Sequence, residues 1–258
     1  MKQLKKIIHK FFSLFNLKIT KKNYGLNDFP IVEATKDEIE LLNTSSKYSM
    51  TSLPRRWALI NAIKQVKNQN IEGDFVECGV WKGGNLIIYN NLNKKYQLQK
   101  NIFGYDTFSG MSEPTIHDNN FLNINAKKEW ESNNNNSSNV NNSFNCYSSL
   151  EEVKKNILHA TKNSSLENTK LILGKVEETL DINENLPQKI SILRLDTDWY
   201  ESTKKELEIL YPKLVKGGIL IIDDYGQWKG SKKAVDEYFK NENVIKHFID
   251  FSCRMIIK

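Results

Sequence analysis

Four aspartates are the residues best placed to do chemistry. They fall in two short stretches, Leu193-Arg194-Leu195-Asp196-Thr197-Asp198 and Ile221-Ile222-Asp223-Asp224-Tyr225-Gly226. Each is an apolar run that stops abruptly at carboxylates. Such a run reads as a strand buried on both faces of a parallel sheet, with its acids delivered to the rim. In open α/β sheets the carboxyl ends of the strands form the ligand crevice. Two neighbouring strands would therefore aim Asp196, Asp198, Asp223 and Asp224 at one place. Carboxylates that close raise one another's pKa unless a cation lies among them. An all-oxygen ligand set suits a hard cation such as Mg²⁺. The plainer alternative has Asp224 capping the next helix and Asp198 sitting in a turn.

A second constellation begins at Gly73-Asp74-Phe75-Val76-Glu77-Cys78-Gly79-Val80-Trp81-Lys82-Gly83-Gly84-Asn85. It reads as a strand, a glycine-rich turn and the start of a helix. Gly79, Gly83 and Gly84 let the backbone approach a ligand closely, and a helix start offers free N–H groups. Glu77, at the strand end, is placed to pair with a ligand ammonium. The next strand, Asn101 to Asp106, also ends in an acid. An acid closing the second strand suits ribose hydroxyls, although the spacing exceeds the about 20 residues of the dinucleotide fingerprint. In Thr107-Phe108-Ser109-Gly110-Met111, which follows, Phe108 or Met111 is suited either to stack on a base or to pack in the core.

These residues need a doubly wound parallel sheet to position them, and the periodicity supplies one. Strands are expected at Phe75 to Cys78, Asn101 to Asp106, Lys170 to Gly174, Lys189 to Asp196 and Ile219 to Asp223. Helices are expected from Leu86, over 149–160, from Glu201 to Leu214, and from Ser231 to Lys240. The tail from Val244 to Ile257 looks like two short strands. Upstream, Thr35 and Glu38 form a capping box for a helix over 35–50, and another runs from about Arg55 to Lys67. Residues 1–66 thus read as a helical extension for oligomerisation or as a lid, and 67–258 as the core, with an Asn-rich insertion at about 115–146. From Pro114 to Cys146 periodicity is lost. Glu131 to Ser143 is low-complexity and polar, and the segment is expected to lie as a mobile lid or loop over the crevice mouth.

Composition excludes several classes. The chain has 258 residues, 39% of them hydrophobic, and a net charge of +6. Its lysines are scattered and no nucleic-acid motif appears, so no nucleic-acid partner is expected; the charge better suits an anionic small molecule or a membrane surface. Cys78, Cys146 and Cys253 lie far apart without C-x-x-C spacing and read as reduced thiols of a cytoplasmic protein. Residues 1–22 alternate basic and apolar side chains but are too polar to span a bilayer. They suit weak association with the inner membrane face or, preferably, a helix docked on the protein itself or a partner subunit. A homo-oligomer is expected.

In order along the chain, Gly73 to Gly84, Asp106 to Met111, Leu195-Asp196-Thr197-Asp198-Trp199-Tyr200-Glu201-Ser202-Thr203 and the run Gly217-Gly218 through Asp223-Asp224-Tyr225-Gly226 to Gly230 and Ala234-Val235-Asp236 resemble the macrocin O-methyltransferase family. Its members are S-adenosylmethionine-dependent sugar O-methyltransferases. The resemblance implies a class I methyltransferase fold, a Rossmann-like doubly wound sheet of seven strands with the last antiparallel. It implies that Glu77 to Gly84 hold the methionine part of the cofactor and Asp106 its ribose, with the segment around Ser149 and residues near Gly174 flanking the adenine. The residues expected at the cofactor are Glu77, Gly79, Trp81, Gly83, Gly84, Asp106, Thr107, Phe108, Ser149 and Asp196. Asp196, Asp223 and Asp224 match the ligands of a divalent cation, Mg²⁺ or similar, and Asp198 the proposed general base. Departures from the family pattern are Ser109 for a frequent Glu, Ser112 for Pro, Trp199 for a common Leu, and the Asn-rich insertion.

The expected reaction is methylation of a hydroxyl on a sugar of a surface glycan, nucleotide sugar or glycosylated natural product. One rival is an NAD- or nucleotide-dependent sugar-modifying enzyme on the same fold. Against it, Glu77 stands where dinucleotide binders carry the first glycine of their fingerprint. The other is a non-catalytic membrane-surface or partner-binding module, which has no need of four convergent acids.

Overall fold

The computed structural model describes residues 31–134, 146–162 and 166–258. Two compact units divide the chain, Met1–Glu40 and Leu41–Lys258. In the first, the expected capping box forms: the Thr35 N–H donates to Glu38 Oε2 at 2.8 Å and the Glu38 N–H to Thr35 Oγ1 at 3.3 Å. These contacts open helix α1 (Lys36–Ser45). The stretch 1–22 lies outside the described residues.

In the second unit the apolar runs become one seven-stranded sheet. Its strands are β1 (Asp74–Cys78), β2 (Ile102–Asp106), β3 (Thr169–Leu173), β4 (Ile190–Leu195), β5 (Leu214–Ile222), β6 (His247–Phe248) and β7 (Arg254–Ile257). Their order is β3-β2-β1-β4-β5-β7-β6. The first five are parallel, and β7, the last strand in the chain, pairs antiparallel with β5. The class I methyltransferase expectation is met in strand number and in the direction of the last strand. Every residue of β4 is buried, as a strand covered on both faces requires.

The covering helices are α2 (Leu53–Asn68), α3 (Gly84–Lys95), α5 (Leu150–Ala160), α7 (Tyr200–Leu210) and α8 (Lys229–Tyr238), and a single turn, α6 (Val176–Thr179), precedes α7. Adjacent strand residues point to opposite faces. Val76, Leu193 and Leu220 join Leu207 and Leu210 of α7 and Val235 of α8 in one core. On the other side Phe75 stacks on Tyr89 of α3 at 5.0 Å.

Register carries the chemistry. Cys78 is level with Tyr105 on β2 and Leu195 on β4, and Leu195 with Ile222 on β5. The next residues along, Gly79, Asp106, Asp196 and Asp223, therefore emerge on one rim.

Within the insertion, residues 115–134 include a further helix, α4 (Ala126–Asn134), where the sequence shows no periodicity. Their hub is the fully buried Asp118. Its Oδ2 accepts from the N–H and hydroxyl of Thr115, each at 2.7 Å, and its Oδ1 from the Tyr200 N–H at 2.8 Å. The last bond caps the first turn of α7, which has no side-chain cap of its own. Asn-rich sequence hid this because the anchor is one charged residue contacting a distant helix. Residues 135–145 lie outside the described part.

Candidate active site

At the rim a cleft of ≈ 460 Å³ opens over the ends of β1, β2, β4 and β5. That volume falls within the range of small-molecule sites, about 300–1,000 Å³. Asp196, Asp198, Asp223 and Asp224 all line it. One carboxylate oxygen from each of Asp196, Asp223 and Asp224 lies within 4.8 Å of the others. Oxygens around Mg²⁺ at about 2.1 Å stand at most about 4.2 Å apart. Cis pairs around such an ion stand only about 3.0 Å apart, so the three side chains would draw together on binding it, and less so around a larger hard cation. Asp198 adjoins them: its backbone N–H donates to Asp224 Oδ2 at 3.2 Å, and its Oδ1 accepts from the Trp228 indole N–H at 2.6 Å.

Two arginines hold this cluster, and neither was singled out from sequence. Arg194 lies in β4, level with Glu77 in β1. Almost fully buried, it donates from Nη1 to Glu77 Oε1 at 2.7 Å and to Asp196 Oδ2 at 2.8 Å, and from Nη2 to Asp223 Oδ1 at 2.5 Å. Arg55, in the first turn of α2, donates from Nη1 to Asp223 Oδ2 and from Nε to Asp250 Oδ2 at 2.7 Å. Burial alone would favour neutral guanidiniums, yet the surrounding carboxylates keep both firmly charged. The signal for Arg194 was a lone charge inside a buried strand, two residues before Asp196. Trp228, four residues past Asp224, carried no signal beyond its type.

The charge balance is uneven. Six carboxylates, those of Glu77, Asp196, Asp198, Asp223, Asp224 and Asp250, face two guanidiniums. Burial, with mutual repulsion added, raises the pKa of Asp196 and Asp224 well above the usual carboxylate range and pushes Asp198 up to about 8. For Asp196 the Arg194 guanidinium opposes the rise. A further cation among these groups would favour their charged forms.

The glycine-rich turn sits beside the acids, held by Asp106. Its Oδ2 accepts the N–H groups of Val80 at 2.7 Å and Trp81 at 2.9 Å, and its Oδ1 that of Phe108 at 2.8 Å. Three of its roughly four lone-pair sites are thereby used by the chain itself. Gly79, Trp81, Gly84, Asp106 and Thr107 line the cleft with Gly174. Glu77, Gly83, Phe108 and Ser149 do not. Glu77 is 1% exposed beneath the floor. Gly83 is the N-cap of α3, Phe108 is buried, and the Ser149 hydroxyl caps α5 by accepting the Glu152 N–H at 3.2 Å. The reason for the glycines also differs from expectation. A Cβ at Gly79, where φ is +83°, would collide with the Asp196 carbonyl, and one at Gly84 with Ser49. Close approach here is of chain to chain.

Comparison with known proteins decides the class. The family model of macrocin-O-methyltransferase (TylF) matches residues 14–254. The chain belongs to that family. It is therefore an S-adenosylmethionine-dependent O-methyltransferase, which sets aside both rival readings. Among its relatives, demethyldecarbamoylnovobiocin O-methyltransferase of Streptomyces niveus is 28% identical over 197 residues, 75% of this chain and 68% of the relative. Mycinamicin III 3''-O-methyltransferase of Micromonospora griseorubida is 23% identical over 79% of this chain and 74% of the relative. The solved structure of the O-methyltransferase NovP superposes with a TM-score of 0.67 at 26% identity, covering 82% of each chain.

Proposed function

We propose that this enzyme methylates a hydroxyl of a sugar, with a divalent cation at Asp196, Asp223 and Asp224 and with Asp198 as general base. The observation that carries the reading is the convergence of four carboxylates at the ends of β4 and β5, beside the turn held by Asp106. The relatives, a demethyldecarbamoylnovobiocin O-methyltransferase and a mycinamicin III 3''-O-methyltransferase, support a glycosylated small-molecule acceptor. A nucleotide sugar or surface glycan presents the same hydroxyl chemistry.

The donor side fits the methionine end of the cofactor. Glu77 Oε2 and Asn85 Oδ1 are buried acceptors without a hydrogen-bond partner among the described residues. An ammonium is a donor that would satisfy such atoms, and Asn85 lines the cleft. Burial pushes Glu77 up to about 7, against the pull of Arg194, so a cation nearby would also stabilise its charge. Asp106, in this reading, spends its remaining lone pair on a ribose hydroxyl, and Gly174 borders the adenine.

When bound, S-adenosylmethionine supplies a methyl group on a sulfonium, and a divalent cation lowers the pKa of a coordinated hydroxyl. The residues of the chain do the rest. Asp198 takes the hydroxyl proton as the oxygen attacks, a contribution of about 10²–10⁴-fold. Trp228 fixes that carboxylate, and Arg194 ties the donor-side acid Glu77 to Asp196 and Asp223. The groups that would meet donor and acceptor thus share one rim of the sheet, which would favour their alignment. Labelled methyl donor offered with a panel of nucleotide sugars, glycans and glycosylated small molecules, with Mg²⁺ or with EDTA, tests the proposal. Transfer to sugar hydroxyls only with the cation is expected. Equal transfer in EDTA would refute the metal assignment, and transfer to non-sugar phenols alone would refute the acceptor.

A further inference from the structure

Asp223 differs from its two neighbours in the cluster in how its lone pairs are used. Both of its oxygens are taken by guanidinium groups, Oδ1 by Arg194 and Oδ2 by Arg55. Asp196 meets a guanidinium at Oδ2. Asp224 forms no ion pair among the described residues and accepts the Asp198 N–H. A cation that draws on all three acids must therefore share Asp223 with an arginine or displace one.

The two arginines are not equally able to yield. Arg194 is 1% exposed and is anchored at once to Glu77, Asp196, Asp223 and the hydroxyl of Thr51, the last at 3.2 Å. Its withdrawal would strand several buried carboxylates. Arg55 lines the cleft, and its side chain keeps 13% of its surface exposed. Its Nε contact with Asp250 Oδ2 is independent of Asp223. Asp250 is itself fixed, accepting from the Ser52 hydroxyl at 2.7 Å and the N–H groups of Ser252 at 3.0 Å and Cys253 at 2.8 Å. The outer nitrogen Nη1 can thus leave Asp223 while Nε stays on Asp250, with the Phe251 ring, 5.9 Å from the guanidinium carbon, bordering the swing.

We propose that Arg55 is the resident counter-ion of the carboxylate cluster and sets its affinity for a divalent cation. It holds Asp223 Oδ2 until a cation enters, then gives up that oxygen by pivoting on Asp250. The proposal rests on the metal reading of Asp196, Asp223 and Asp224 given above. Physically, a unit positive charge a few ångströms from a dication opposes loading, and the same charge holds Asp223 in place when no cation is there. Arg55 is a positioning residue in this scheme, acting through Asp223.

Calorimetric titration of the full-length protein with Mn²⁺ separates the possibilities. Wild type should bind one ion, and Asp224→Asn should lose it. Arg55→Met should bind it about tenfold more tightly or better, because the opposing charge is gone. Arg55→Lys, which keeps the charge, should stay near wild type. Should Arg55→Met not fold, Arg55→Gln carries the same expectation. Unchanged or weaker binding in the neutral variants, with loss in Asp224→Asn, would overturn the role of Arg55 and leave the metal site standing. Absence of wild-type binding, or binding indifferent to Asp224→Asn, would overturn both.

Discussion

Asp198 sits at φ +69°, in the left-handed region that side chains other than glycine rarely occupy. Aspartate tolerates that region better than most residues, but the conformation still costs of order 1–3 kcal/mol and persists only where neighbours impose it. Here they do: the Trp228 indole holds the carboxylate and Asp224 holds the backbone. Asp198→Asn preserves shape and removes the base. It should leave S-adenosylmethionine affinity unchanged by fluorescence titration and lower kcat by about 10²–10⁴-fold; wild-type turnover would exclude Asp198 as base. A second acid makes a different statement. Glu206, fully buried on α7, accepts the Thr197 hydroxyl at 2.9 Å, and burial holds its pKa well above the ordinary value near 4.5. An acid whose folded pKa is raised contributes its stability in full below its unfolded pKa. That contribution is lost as pH climbs through the folded value. Glu206→Gln should therefore match wild type near pH 4 and exceed it at pH 8. Each kcal/mol gained is worth about 2–4 °C in Tm for a chain of this size. A Tm difference that does not vary with pH would show that Glu206 folds with an ordinary pKa.

The elements differ in how plainly the sequence announces them, and the exceptions have physical causes. β4 and the end of β5 were legible because an apolar run ending in acids has few other uses in a soluble sheet. The start of β5 was not: it begins at Leu214, five residues before the expected Ile219. Gly217, at φ +78°, lies inside the strand, where the pairing with β4 jumps from Ile190–Leu214 to Ile192–Ile219. A glycine pair that reads as a turn is here an irregularity within a strand. The helix expected to reach Leu214 instead closes at Leu210, followed by a tight turn over Tyr211–Lys213. Pro212 has no N–H to continue the ladder. α2 begins at Leu53, because the Ser52 hydroxyl caps it and Pro54 fits its first turn. The insertion shows long-range dependence most clearly. At Gly230, in the first turn of α8, a Cβ would collide with Asp118 Oδ1, the oxygen that caps α7. Gly230→Ala should thus cost about 1–3 kcal/mol despite alanine's better helix propensity. Chemical denaturation would measure it, and a stabilised variant would show that Asp118 is not held where the cap requires.

At the scale of the whole molecule, the sheet works as a ruler. Parallel pairing of β2, β1, β4 and β5 brings residues far apart in sequence to one level, so that Asp106, Gly79, Asp196 and Asp223 meet without a dedicated loop. The acids were legible because strand ends are. Their counter-ions were not, since Arg55 comes from a helix 168 residues before Asp223 and only the fold joins them. Among the described residues no helix is long and apolar enough to cross a membrane. The proposed chemistry reduces to a dication held by three aspartates at the joint rim of β4 and β5. Anomalous diffraction from a crystal of the protein soaked in Mn²⁺ reads that directly. A single strong peak within bonding distance of Asp196, Asp223 and Asp224, and next to Asp198, is the expected result. Carboxylates in these positions with no peak among them at saturating Mn²⁺, or a peak bound elsewhere, would contradict it.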